Sequence, residues 1–288
     1  MSRPEALAAS ARVTIDTPSI TGSISLKGAR IGIPRASYYD RITLPGAGGS
    51  RGGLTPDVAK LMNEAIEILK QQGAIIVDPA DIPSVVTTNP DKNLLLWGSC
   101  SGVNEGKGQD AACSVVLKYG MKRDFNAWLA TLGPAAPVSS LTALREWNIT
   151  HTRAGAIKYG QSNLDVSDEM DLAADRARYT ADRAKDLELT ATHGIDEAMK
   201  TNQLDALLFP GSGGAGVAAR PGYPTVIVPF GMVPSQPGNA GFPEKFQPKP
   251  APFGVSFTGM ACAEPRLIGL AYALEQATKR RVPPPLEQ

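Results

Sequence analysis

At 288 residues, with 42% hydrophobic and 20% charged side chains and 29 basic against 28 acidic groups, the chain is long enough for a sizeable core of one or two domains. A disulfide-stapled miniprotein is excluded, and interleaved acids and bases such as Asp175, Arg176, Arg178, Asp182, Arg183, Lys185 and Asp186 read as a solvated helix face and not as a basic nucleic-acid surface. Three cysteines, Cys100, Cys113 and Cys262, in odd number and without CxxC spacing, argue against a disulfide framework and against a zinc site.

Residues 1–25 are rich in Ser, Thr and Ala and read as an irregular lead-in, with no apolar core of a signal peptide. No stretch anywhere approaches the about 18 apolar residues of a membrane span, so the expected setting is cytoplasmic and reducing. No metal and no cofactor are expected. The first firm element is a short strand, Ala29 to Ile33, closed by Pro34. A glycine-rich loop at 45–53 then leads to the clearest helix start in the chain. Thr55 caps, Pro56 suits the first position, Asp57 complements the dipole, and Val58, Leu61, Met62, Ala65, Ile68 and Leu69 form one apolar stripe before Gly73. Ala74 to Val77 follows as a buried strand. This order predicts an α/β layer with a helix over one sheet face.

The middle of the chain predicts helices over about 110–131, 141–157 and 168–199, the last starting at Ser167 with Asp168, Glu169 and Asp171 in its first turn. Three short apolar runs come next, Ala206–Phe209, Thr225–Val228 and Gly254–Phe257, with a Pro-rich loop at 234–252 between the last two. A closing helix spans about 264–279, and Pro283-Pro-Pro cannot extend it.

The tract Pro210-Gly-Ser-Gly-Gly-Ala-Gly216 admits three readings. A phosphate cradle needs Gly-Lys-Ser/Thr or a helix opened by a dinucleotide fingerprint, whereas Val217-Ala-Ala-Arg220 is stopped by Pro221 and Gly222. A nucleophile elbow needs GxSxG spacing around Ser212 and an acid–His pair; His151 and His193 sit in polar helical stretches and read as surface residues. The plain reading is that glycine supplies tight turns and lets another segment approach closely.

The run Leu204–Gly231, Pro252-Phe-Gly-Val-Ser-Phe-Thr-Gly259 and Glu264-Pro-Arg-Leu-Ile-Gly-Leu-Ala-Tyr-Ala-Leu-Glu275 closely resembles the C-terminal part of the amidase signature family. Upstream, Leu26-Lys-Gly-Ala-Arg-Ile-Gly-Ile-Pro34, the Pro56–Asp78 helix–strand and Asp124-Phe-Asn-Ala-Trp-Leu129 are similar to further segments in the same order, so the likeness runs from about residue 26 to about 285. It implies a mixed sheet flanked by helices, with 26–288 as one α/β portion. The family hydrolyses amides to carboxylate and ammonia or amine with a serine nucleophile, a second serine and a lysine. These lie on a lysine segment and a Gly-Ser-Ser-Gly-Gly-Ser tract that precede the segment matched here at Leu26, and residues 1–25 hold neither. The resemblance therefore implies no catalytic residue in this chain and no turnover by it alone.

Other serines are weak substitutes. Ser99 and Ser101 stand among glycines, yet Lys27 and Lys118 are bases only by default, and Cys100 and Cys113 read as unreactive thiols. In the family's architecture Gly213, Gly214, Arg220, Gly222 and Tyr223 would belong to the loop-and-turn wall facing a small-molecule amide. A turn anchored by local hydrogen bonds explains Arg220 and Tyr223 equally well. Two classes of function stay open: half of an amidase that needs an N-terminal partner, or a non-catalytic scaffold that binds a small ligand or another protein. A sheet lacking neighbouring strands would leave an open edge, so self-association is a further expectation.

Overall fold

The computed structural model describes residues 25–46, 49–100, 112–235 and 249–283. Its first part holds β1 (Arg30–Gly32), a hairpin of β2 (Arg41–Thr43) and β3 (Ser50–Gly52), α1 (Pro56–Gln71), β4 (Ile75–Val77) and the single turn α2 (Pro83–Val86). A helical unit follows: β5 (Gly98–Ser99), β6 (Cys113–Ser114), α3 (Val116–Thr131), α4 (Leu141–Thr150), α5 (Ser162–Asp168) and α6 (Arg176–Leu187). A widened π-type turn over Glu188–Ile195 leads into α7 (Asp196–Asn202). The last third holds β7 (Ala206–Pro210), α8 (Ala215–Ala219), β8 (Thr225–Val233), β9 (Ala251–Thr258) and α9 (Glu264–Thr278).

The five apolar runs of the sequence become one sheet of order β4-β1-β7-β9-β8. β1 lies parallel to β4 and β7, while β9 runs antiparallel to both β7 and β8, so the sheet is mixed. Central β7 is buried on both faces, which is why Ala206–Phe209 is a continuous apolar run and does not alternate. On one side Leu208, Ile31, Phe257 and Phe230 pack against α1 and α9; on the other Leu207 and Phe209 meet Ile82, Leu189, Met199 and Val217.

α1 forms as its start and stop residues dictate. The Thr55 hydroxyl accepts from Val58 N at 3.4 Å, Pro56 opens the helix, Met62, Ala65, Ile66 and Leu69 are buried, and Gly73 turns the chain at φ +86°. Burying each large side chain of such a stripe contributes roughly 1.5–3 kcal/mol.

Three expectations are corrected. The helix expected over 168–199 is broken, because Ser167 belongs to α5 and donates to Asn163 O at 2.6 Å, while Asp171 accepts from Ala173 N and Ala174 N ahead of α6. The first turn expected from Asp168 and Glu169 is spent on side-chain ties instead. Asp168 accepts from Thr142 Oγ1 and Arg145 at 2.6 Å each and lies 3.2 Å from Lys122 Nζ. Likewise the helix expected to reach residue 157 ends at Thr150. Second, α6 is not a wholly solvated face: Asp182 and Asp186 are buried.

Third, Cys100 and Cys113 form a disulfide, leaving Cys262 as a free, exposed cysteine. Parallel pairing of Gly98 with Cys113 and of Ser99 with Ser114 brings the two cysteines together, a tertiary effect that their count and spacing did not reveal. Thiol titration of the unfolded, unreduced chain should find one thiol, rising to three after reduction; three before reduction would contradict the pairing.

Asp168 also sets an acid limit. Burial pushes its carboxyl up, but the bonds from Thr142, Arg145 and Lys122 outweigh that and hold it below the usual carboxylate range. Its contribution is thus fully present above the unfolded value of about 3.9 and is lost as pH falls through the lower folded value. Fluorescence of Trp128 and Trp147 on α3 and α4 should report loosening below about pH 4, and Asp168→Asn should weaken the fold at neutral pH while flattening that acid limb. An unchanged acid limb in the variant would sink this account.

The ends of the chain, the start of the expected 110–131 helix, Ser101 and most of the 234–252 loop lie outside the described residues. Among the described residues, no helix is long and apolar enough to cross a membrane.

Candidate functional site

The glycine tract lies where central β7 ends. Gly211 turns the chain at φ +55° and its N–H donates to Gly254 O of β9 at 2.9 Å. At Gly214 a Cβ would sit 2.5 Å from Phe209 Cδ2 and 2.5 Å from Thr258 Oγ1, so any side chain there collides with β7 and β9. Gly213 is exposed, with Pro210 O 3.0 Å from where its Cβ would be and the Tyr38 ring beyond. Tyr38 packs edge-on against Phe209 at 4.7 Å, and burial pushes its phenol up to about 12. Close approach is what the tract supplies locally. The stub that Pro221 stops is α8, five residues long.

Beyond α8 the chain turns through Arg220, Pro221 and Gly222, the last at φ +82° in the left-handed region. Arg220 reaches back across the molecule: Nη1 donates to Asp186 Oδ1 and Nη2 to Trp97 O, both at 2.8 Å. Trp97 Nε1 donates to the same Asp186 oxygen at 2.9 Å, and Ser114 Oγ donates to Oδ2 at 2.8 Å. Arg183 donates to Arg220 O, and Lys185 Nζ lies 4.0 Å from the centroid of the Trp97 ring. One turn earlier on α6, Asp182 accepts from Val115 N at 2.9 Å and pairs with Arg178 at 2.8 Å. Arg178 Nη2 in turn donates to Cys113 O. Two buried carboxylates thus bind β6, α3, Trp97 and the Arg220 turn into one charge-assisted network.

Tyr223 follows on the same turn, its N–H donating to Ala218 O at 2.8 Å. Loss of water, with the Asp196 carboxylate nearby, pushes its phenol up to about 12, so it stays protonated at neutral pH. The five residues singled out in the sequence therefore share one turn–helix–turn segment, with Gly213 and Gly214 before α8 and Arg220, Gly222 and Tyr223 after it. The Arg220 guanidinium is engaged by Asp186 and Trp97, as the anchored-turn reading requires.

The candidate bases lie away from the glycine tract or are already paired. His151 stacks on Trp147 at 4.0 Å with Nδ1 2.7 Å from Trp147 O, and His193 meets Glu197 at 3.0 Å. Lys118 is buried 3.5 Å from the Glu169 carboxylate, and Lys27 is exposed near Gly73. Ser212 is exposed in the tract, and Ser99 is an exposed residue of β5. Sequence reasoning missed Asp182 and Asp186. The usable signal was the spacing Arg178, Asp182, Asp186, Thr190, four residues apart along one helix face and ending on a residue that is fully buried.

This arrangement defines an α/β chain whose glycine turn and anchored arginine flank the end of the central strands, and comparison with known proteins makes the class specific. Across 92% of its length the chain superposes on 46% of the peptide amidase from Stenotrophomonas maltophilia, with a TM-score of 0.65 and 26% identity. A probable amidase of Arabidopsis thaliana is 27% identical over 253 residues, 88% of this chain and 43% of that protein. An amidase family protein from Bacillus anthracis shares the fold at a TM-score of 0.61 and 20% identity, over 93% of this chain and 42% of that one. No protein-family model matches the sequence. The chain carries an amidase-signature fold, similar to these amidases over nearly its whole length, and it spans less than half the length of the relatives it matches.

Proposed function

We propose that this chain is the second half of an amidase-type C–N hydrolase, in which amides are cleaved to carboxylate and ammonia or amine. The observation that carries the reading is the match of nearly the whole chain to under half of the peptide amidase. Residues 26–288 form one α/β portion with 1–25 as lead-in, and the segment from Gly213 to Tyr223 contributes to the wall that faces the substrate. Glycines there admit close approach, and Tyr223 offers an apolar ring with a donor at its tip. The serine pair and lysine come from a first half, so the chain alone turns nothing over. An enzyme must lower its barrier by roughly 8–23 kcal/mol, and loss of a serine nucleophile alone forfeits about a million-fold in rate.

The relative's description as a peptide amidase makes peptide amides the first substrates to try. The folded chain should release no ammonia from a panel of peptide and small-molecule amides, and should do so once the first half of the peptide amidase is supplied. Release by the chain alone, or none from a folded complex, would sink the reading. The cysteine argument for a reducing cytoplasm does not survive the Cys100–Cys113 pair, which suits an oxidising compartment.

A second reading, a non-catalytic scaffold, is favoured by the Arg220 side chain's engagement with Asp186 and Trp97. A lysine segment and a Gly-Ser-Ser-Gly-Gly-Ser tract encoded immediately upstream would decide for the first.

A further inference from the structure

We infer that a cavity between α2 and the π-type turn binds a free α-amino acid, held through opposite charges on its two walls. Ser84, Thr87 and Lys92 line one wall, and Glu188, His193 and Glu197 line the other. The cavity measures about 200 Å³. Pockets for drug-sized ligands run to roughly 300–1,000 Å³, so this one suits a much smaller molecule. None of its residues belongs to the segment from Gly213 to Tyr223, and the inference stands whether or not the half-enzyme reading does.

Both walls are fixed by packing. Ile82 and Val85 beside α2 share one buried cluster with Leu189 and Ile195 of the turn. Asn93, 1% exposed, donates to Val85 O at 3.2 Å and to Thr87 O at 2.9 Å, which holds the loop carrying Lys92 against α2. On the opposite wall the helix is interrupted at His193 and Gly194. A Cβ at Gly194 would lie 2.7 Å from Leu189 O, so glycine is what lets the widened turn close on itself. Widened turns of this kind inside helices recur at functional sites. The His193 imidazole is held in place by Glu197, with Nδ1 3.0 Å from Oε2.

The chemistry of the ligand follows from what the walls leave unpaired. Ser84 is 2% exposed, and its Oγ has no hydrogen-bond partner among the described residues. A buried hydroxyl left unpaired is costly, and Ser84 lines the cavity, so the partner it lacks has to come from there. Thr87 Oγ1 accepts from Asn89 N at 3.3 Å, which leaves its proton to donate. Among the described residues neither Lys92 nor Glu188 is paired with an opposite charge. The α2 wall therefore offers an ammonium and two hydroxyl donors, the set that a carboxylate accepts from. The turn wall offers the carboxylates of Glu188 and Glu197, the set that an ammonium donates to. An anion alone would face those two carboxylates, and a cation alone would face Lys92. A molecule with both charges on one carbon satisfies both walls, and Pro83 and Leu189 give its aliphatic side chain an apolar surface.

The test is titration of the full chain with L-alanine and L-leucine, followed by calorimetry and by amide chemical shifts. The expected result is saturable one-to-one binding with shifts centred on residues 84–92 and 188–197. Leucine stripped of one charge, as 4-methylpentanoate or as 3-methylbutylamine, should bind about tenfold more weakly or worse, as expected for a lost charge-assisted bond. Lys92→Met and Glu188→Gln, both at exposed positions, should each weaken leucine binding by a similar factor with circular dichroism unchanged. Ser84→Ala should weaken it too while leaving the free chain as stable as before or more so, because the substitution removes an unpaired hydroxyl. Lys70→Met, on α1, should leave binding unchanged. Absence of saturable binding to the folded chain would overturn the inference. So would either singly charged analogue binding as tightly as leucine, or Lys70→Met weakening binding as much as Lys92→Met.

Discussion

Replacing Asp186 with alanine is expected to cost the fold about 3–5 kcal/mol, the range for removing one partner of a buried ion pair. Asp186 is 3% exposed and answers three donors from three distant parts of the chain: Arg220, Trp97 and Ser114. Without it the Arg220 guanidinium is left without its carboxylate, and the Trp97 and Ser114 donors lose their acceptor. Arg220→Ala should cost less, because Asp186 keeps two neutral donors. Urea unfolding of both variants measures the difference, with the midpoint shift read at constant slope. A loss under about 1 kcal/mol for Asp186→Ala would mean the network contributes no more than an exposed pair.

Gly214→Ala should be destabilising by about 1–3 kcal/mol, the usual cost of overpacking a filled core. Its new methyl would lie 2.5 Å from Phe209 and from Thr258, one on β7 and one on β9, and neither is free to yield because both are buried. Gly216, two residues on, has nothing within 4 Å of an added Cβ and lies in α8, so Gly216→Ala should be neutral or stabilising by up to about 1 kcal/mol. This contrast separates close packing from mere chain flexibility, since flexibility would make both substitutions alike. Equal effects at the two positions would contradict the packing role of the tract.

The sheet was legible because each of its five strands is an apolar run bounded by Gly, Pro or polar residues, and α1 because Thr55, Pro56 and the 58–69 stripe agree with one another. The glycine tract was legible only as a tight turn; that Gly214 must be glycine depends on Thr258, 44 residues later. Asp182 and Asp186 were misread because an i,i+4 ladder of charges looks the same whether water or protein faces it. What faces this ladder is β6, Trp97 and the α8 turn, brought there by the tertiary fold. The disulfide was hidden for the same reason, since it follows from the register of two two-residue strands. For the candidate site, sequence placed the five residues on one segment but left the direction of Arg220 undecided.

The proposal most in need of a test is that this chain, which matches under half of the peptide amidase, has no working nucleophile of its own. The most direct test is the intact mass of the folded chain after exposure to a serine-reactive phosphonate, with ammonia release from an amide panel followed in parallel. The account predicts an unchanged mass and no ammonia. A stoichiometric adduct on Ser212 or Ser99 together with turnover would contradict it, and would show that a serine in this half has been recruited for catalysis.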